Sequence, residues 1–136
     1  MLKLRLSIAV LAGVAGILAT APASLADAPA FSESQICKGA IGAIMGQDPE
    51  TINVTKNEEG IVYLHYVRAD DGSNWAYRCK LDGSKLIWAS DTGRWRNGPA
   101  DETITYKVTG STLEIVQTFT DGSASTATYN VSQLGK

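Results

Sequence analysis

Hydrophobic and polar residues alternate in short runs over the last two thirds of the chain, which is the pattern of β-strands that bury one face. Three of the connections between runs carry the tripeptide Asp-Gly-Ser, at 71–73, 82–84 and 121–123. Asp-Gly favours the positive φ angles of tight hairpin turns, so we predict an antiparallel meander. The predicted strands are 51–57, 61–68, 74–81, 85–90, 103–108, 112–119 and 124–131.

One amphipathic helix of about 14 residues is predicted before these strands. Ser32 and Gln35 have the spacing of a capping box, and Phe31 and Ile36 that of a hydrophobic staple. Gly46 predicts a left-handed C-terminal stop. The apolar side of this helix comprises Ile36, Cys37, Ala40, Ile41, Ile44 and Met45.

The two glycines inside this helix, Gly39 and Gly42, each lower its intrinsic stability by about 1 kcal/mol. We therefore expect packing against the sheet to hold the helix. Small residues at these two positions would allow the helix to lie close to a sheet.

The only two cysteines, Cys37 and Cys79, both fall on predicted apolar surfaces. Cys79 shares a strand face with Trp75, Tyr77 and Leu81. A Cys37–Cys79 disulfide would pin the helix across the sheet. Reactive thiols or a metal-binding pair are the alternatives, but the chain lacks a C-x-x-C motif. The predicted fold class is α+β: one N-terminal helix on an antiparallel meander of about seven strands, forming a roll or a small, partly closed barrel.

Residues 1–26 differ in composition from the rest. Lys3 and Arg5 precede an apolar run, and small residues Ser24 and Ala26 stand before Asp27. This layout predicts a secretory signal peptide, cleaved before Asp27, and a periplasmic or secreted protein. The alternative is a retained membrane anchor, but the run of about 16 residues is shorter than the roughly 20 needed to span a bilayer. We therefore expect no stable membrane insertion after cleavage.

The chain of 136 residues is 44% hydrophobic with a formal charge of −2, but part of this apolar content belongs to the leader. Residues 27–136 form the predicted single α+β domain and are about 38% hydrophobic. Without the leader, 10 basic residues face 14 acidic ones, which argues against a nucleic-acid partner. Because the core is modest, we expect the disulfide to be needed for stability, and folding to be poor in a reducing cytoplasm.

Candidate catalytic chemistry is sparse. His65, the single histidine, lies in an apolar strand, where a structural role is the simpler interpretation. No nucleophile, metal or phosphate-binding motif occurs, and no cofactor or metal is predicted. Adjacent carboxylates at Asp70-Asp71 and Asp101-Glu102 are a pattern compatible with glycoside hydrolysis, but each pair lies beside a turn or loop, where solvated charges are the ordinary explanation.

The loop after the fourth strand carries the candidate binding residues Arg94, Trp95 and Arg96. Tryptophan and arginine are the residue types most enriched at binding hot spots. The alternative is a short strand at 94–96, with Trp95 turned inward and both arginines solvated or paired with Asp91, Asp101 or Glu102.

The strand at 61–68 is apolar on both faces, which is unusual when one face is solvated. Closure of the sheet into a small barrel or roll would cover both faces. Otherwise the outer face is a contact surface.

These observations favour an exported, non-enzymatic binding module, of which an inhibitor of another protein is one form. Its expected partner is a protein or a carbohydrate. A second hypothesis is a carboxylate-based hydrolase of envelope carbohydrate using Asp91, Asp101 and Glu102. A third is a structural or assembly protein that pairs through the two-sided strand. The sequence leaves the oligomeric state open.

Overall fold

The computed structural model describes residues 31–135, and the predicted signal peptide at residues 1–26 lies outside that range. Two single 3₁₀ turns, Pro49–Thr51 and Val131–Gln133, flank the strand region. The regular elements are α1 (Glu33–Met45), β1 (Asn53–Glu58), β2 (Ile61–Val67), β3 (Asn74–Asp82), β4 (Lys85–Ser90), β5 (Thr103–Thr109), β6 (Thr112–Thr118) and β7 (Ala124–Asn130).

The seven strands form one antiparallel sheet in sequence order, from β1 to β7. The predicted α+β fold, one helix on a seven-stranded meander, is therefore confirmed. The sheet is not closed into a barrel, because within residues 31–135 β1 and β7 each pair with a single neighbour. The helix occupies residues 33–45 and is not at the N-terminus of the chain.

Local signals determine both ends of α1, as predicted. The Ser32 hydroxyl accepts a hydrogen bond from the Gln35 amide at 3.2 Å, and the Gln35 side chain accepts one from the Ser32 amide at 2.9 Å. Together these bonds satisfy two amides that the first helical turn leaves unpaired. Gly46 ends the helix in the left-handed conformation, at φ 65° and ψ 36°.

The predicted disulfide joins Cys37 on α1 to Cys79 on β3, with the two Cα atoms 5.9 Å apart. Both cysteines are fully buried. The bond therefore fixes the helix to one side of the sheet, which we call the helix face; the opposite side is the outer face. The core between helix and sheet includes Ile36, Ile41, Ile52, Val62, Leu64, Leu86, Ile104, Leu113, Ile115 and Leu134.

The helix lies close to the sheet where it lacks side chains. A Cβ atom added to Gly39 would stand 2.9 Å from Leu113 Cδ2 and 3.3 Å from Tyr129 Cδ2. A Cβ atom on Gly42 would stand 2.9 Å from the Gln47 carbonyl oxygen. The expected close approach is confirmed at Gly39, because any larger side chain there would displace a packed core residue.

The helix, 13 residues or about 20 Å long, packs against β1, β2, β3 and β6. Two positions that the alternation assigns to the core face, Trp75 and Val108, are nevertheless each 40% exposed. No helix of residues 31–135 is long and apolar enough to cross a membrane.

Within residues 31–135, no second layer covers the outer face of the strand that is apolar on both faces. Tyr63 and His65 are half-buried there, and Val67 is 57% exposed. Closure into a barrel, the simpler of the two explanations, is therefore wrong for the described chain. The contact-surface explanation stays a hypothesis.

Candidate binding surfaces at the 91–102 loop

The loop at residues 91–102 lies where the sheet partly separates. β4 and β5 pair only through Lys85 with Thr105 and Leu86 with Ile104. Further along β4, the Arg96 amide donates to the Trp88 carbonyl at 2.9 Å. Through this single hydrogen bond the loop lies beside β4, where a paired strand would lie. Residues 94–96 do not, however, form a regular strand.

Asp101 holds the loop together. Both of its carboxylate oxygens accept from the Arg94 guanidinium at 2.8 Å, and the Gly98 amide donates to Oδ2 at 2.9 Å. Arg96 Nη1 stands 3.6 Å from Oδ1. The Asp101 side chain is only 5% exposed. The hydrogen bonds from Arg94 and then from Gly98 lower the pKa of Asp101 to about 2.

Replacing Asp101 with asparagine should destabilise the protein at neutral pH but not at pH 2. A carboxyl whose pKa is lowered by folding contributes stability above its unfolded pKa of about 4, and this contribution disappears as the pH falls through the folded value near 2. Thermal melts from pH 7 to pH 2 should therefore show a gap in Tm between wild type and Asp101→Asn that closes between about pH 4 and pH 2.

The control for this prediction is Asp70→Asn, which removes one negative charge from an exposed loop position. It should lack the pH-dependent gap. A gap for Asp101→Asn that persists unchanged at pH 2 would show that the carboxylate charge is not what holds the loop.

Trp95 lies on the outer face, where its ring packs against two cationic side chains of β3. The Arg78 guanidinium carbon is 4.6 Å from the centre of its ring, and Lys80 Nζ is 4.2 Å from it. Arg78 is itself fixed by hydrogen bonds that it donates to the Ser90 and Gly93 carbonyls. The indole is half-buried. We define the outer patch as Tyr63, His65, Arg78, Lys80 and Trp95.

Arg96 points to the other side of the sheet. Its guanidinium carbon lies 4.9 Å from the centre of the Trp88 ring, which packs on the helix face. The structure therefore brings Arg94 and Arg96 together at Asp101 and separates Trp95 from them. This is the geometry of an extended segment, in which alternate side chains point in opposite directions.

An open cleft of about 480 Å³ lies on the helix face beside Arg96. Its apolar lining includes Met45, Trp75, Tyr77 and Trp88, and we call it the helix-face cleft. Tyr77 makes an edge contact with Trp88, with ring centres 5.8 Å apart, and its hydroxyl donates to Met45 Sδ at 3.3 Å. Burial, the largest cause, raises the pKa of Tyr77, so its hydroxyl stays protonated.

Sequence reasoning did not single out this cleft. Trp75 and Trp88 both fit an apolar strand face, and the alternation of residues does not distinguish them. In the folded protein Trp88 is buried, whereas Trp75, near the start of β3, is 40% exposed.

The three carboxylates considered for hydrolysis have different surroundings. Asp101 remains ionised because of its arginine partners, whereas a glycosidase acid needs a raised pKa. Glu102 accepts a hydrogen bond from the Trp88 indole at 3.2 Å. Asp91 lies at the exposed rim of the helix-face cleft. Across residues 31–135, no three His, Cys, Asp or Glu side chains are grouped so that they could hold a metal ion.

Comparison of the chain with known protein families, with characterised proteins and with solved structures finds no match.

Proposed function

We propose that the protein is an exported binding module that docks an acidic segment of a partner protein on its outer patch. The observation that carries the proposal is the position of Trp95. Its ring is half-exposed and supported by two cations, on a sheet face that no other element of residues 31–135 covers. Tryptophan and arginine dominate binding energy where they are anchored at the centre of an interface.

The rigidity of the outer patch supports this role. Arg78 is held by two carbonyl groups, and it in turn supports the Trp95 ring. The loop that carries Trp95 is fastened by Asp101. Side chains that are already ordered lose little entropy on binding, so more of the contact energy is available for affinity.

The charge of the outer patch indicates the chemistry of the partner. Arg78 and Lys80 place two cations under Trp95. Lys56, which lies 4.7 Å from the centre of the neighbouring Tyr63 ring, is paired with Glu58 at 3.3 Å and adds no net charge. Residues 27–136 contain more acidic than basic residues, so the positive charge of the outer patch is opposite in sign to the net charge of this part of the chain. A partner with carboxylates at its surface would be attracted to the patch and oriented by it.

Two observations support export. The only cysteines of the chain are joined in a disulfide, which is a bond typical of oxidising compartments. The leader at residues 1–26 has the layout of a secretory signal, and a periplasmic or secreted location follows from this proposal.

We expect Trp95→Ala to weaken capture of the partner at least tenfold, since removal of a hot-spot residue typically costs about 2 kcal/mol of binding. Lys80→Glu should weaken it as strongly, because it reverses a charge of the patch. The measurement is quantitative pull-down from the extracytoplasmic fraction of the producing cells, with tagged wild type and variants.

The matched control is Trp75→Ala, which removes an exposed tryptophan from the opposite face and should capture the partner normally. Binding should also fall when salt is raised, since exposed charges are then screened. Equal capture by wild type, Trp95→Ala and Lys80→Glu would contradict the proposal. So would light scattering that shows a dimer which Trp95→Ala converts to monomer, because the patch would then bind a second copy of the chain.

A further inference from the structure

Trp75 is an exposed aromatic platform on a rigid strand. Its indole N–H donates to the Ser73 hydroxyl at 2.7 Å. The Arg68 guanidinium carbon lies 5.0 Å from the ring centre, and Arg68 is in turn paired with Asp71 at 2.9 Å. These contacts fix the orientation of the ring while leaving it 40% exposed at the edge of the helix-face cleft.

The rest of the helix-face cleft combines apolar and polar groups. Tyr77 and Trp88 provide aromatic walls, and their rings are held by contacts already described. Polar residues line the same space: Asn74, Ser90, Asp91, Thr92 and Arg96. Its volume of about 480 Å³ is within the range of roughly 300–1,000 Å³ typical of small-molecule sites.

This combination indicates the class of ligand. A pyranose ring presents an apolar C–H face, which stacks on an indole, and a rim of hydroxyl groups, which bond to amides, carboxylates and guanidinium groups. A purely apolar ligand would cover the Asp91 carboxylate without offering it a hydrogen-bond donor, at a cost in affinity.

The charges of the helix-face cleft favour a neutral ligand. Asp91 and Arg96 contribute one charge of each sign to the lining. The charge of Arg68, next to Trp75, is balanced by Asp71. A singly charged ligand of either sign would meet one like charge and one opposite charge, so the lining favours neither sign.

We infer that the helix-face cleft is a second binding site, separate from the outer patch, and that it takes a short neutral oligosaccharide with Trp75 as the stacking platform. The two sites lie on opposite faces of the sheet and share no side chain. This inference does not depend on the protein partner of the outer patch.

The test is calorimetric titration of the mature, disulfide-bonded protein with three neutral trisaccharides, tri-N-acetylchitotriose, cellotriose and maltotriose, and with the acidic trisaccharide trigalacturonate. We expect at least one neutral trisaccharide to bind, and Trp75→Ala to weaken that binding at least tenfold. Asp91→Ala, a second variant at the exposed rim, should weaken it as well. Trp95→Ala should leave it unchanged.

Three results would overturn the inference. One is the lack of heat from every neutral trisaccharide at concentrations up to about 10 mM, which includes even weak binding. Another is preference for trigalacturonate over all neutral probes. The third is binding that survives both Trp75→Ala and Asp91→Ala, with circular dichroism showing that both variants are folded.

Discussion

Replacing Cys37 and Cys79 together with alanine should lower the free energy of unfolding by about 4 kcal/mol, because the disulfide closes a loop with a sequence separation of 42. A domain of this size has a total stability of roughly 5–15 kcal/mol, so the loss is a large fraction of it. Without the bond, α1 is held by packing and by side-chain hydrogen bonds that Gln35 and Lys38 donate to the Gly135 and Leu134 carbonyls. Its two internal glycines weaken it further. Urea unfolding monitored by tryptophan fluorescence measures the change.

Reduced wild type is the control for this prediction. It keeps both sulfur atoms in the core, so a comparison of reduced wild type with the double alanine variant separates the cross-link from the loss of buried atoms. We expect most of the loss to appear on reduction alone. If oxidised and reduced wild type unfold at the same urea concentration, the disulfide does not have the stabilising role assigned to it.

Leu113→Ala should cost about 2–5 kcal/mol, the second large effect that the structure predicts. Leu113 is fully buried on β6, under α1. Its truncation removes apolar atoms from the core and leaves a cavity beside Gly39. Chemical unfolding gives the change directly.

A double-mutant cycle tests the close approach of Gly39 on α1 to Leu113 on β6. In wild type, Gly39→Ala combines a helix-propensity gain of about 1 kcal/mol with a clash, because the new Cβ stands 2.9 Å from Leu113 Cδ2. In the Leu113→Ala background that clash disappears, so Gly39→Ala should recover about 1 kcal/mol of stability. In the background of Leu86→Ala, a buried position on β4, Gly39→Ala should act as it does in wild type. Additive effects with Leu113→Ala would contradict the close approach of helix and sheet.

The helix and the strands could be predicted because their signals are local. The capping box at Ser32 and the stop at Gly46 determine where α1 begins and ends, and Asp-Gly-Ser turns separate the later strands. The predicted strand bounds differ from the observed ones by no more than two residues. The Cys37–Cys79 bond could be predicted because two separate periodicities put both cysteines on apolar surfaces.

The sites could be predicted only in part, because they depend on contacts between distant residues. The sequence identified Trp95 as unusual, but its support by Arg78 and Lys80 requires the β3–β4 register and the path of the loop. The burial of Asp101 by two arginines likewise depends on how the loop folds back. Trp75 fits the core pattern, and only the folded structure shows that its ring is uncovered.

The central claim is that one sheet carries two independent binding surfaces, with Trp95 on the outer face and Trp75 on the helix face. The most direct test is to measure the binding of two ligands, the captured protein partner and the bound trisaccharide. Each is measured with the Trp95→Ala variant and with the Trp75→Ala variant. We predict that Trp95→Ala loses only the protein partner and that Trp75→Ala loses only the saccharide. A variant that loses both ligands while remaining folded, or a pair of variants that loses neither, would contradict the claim.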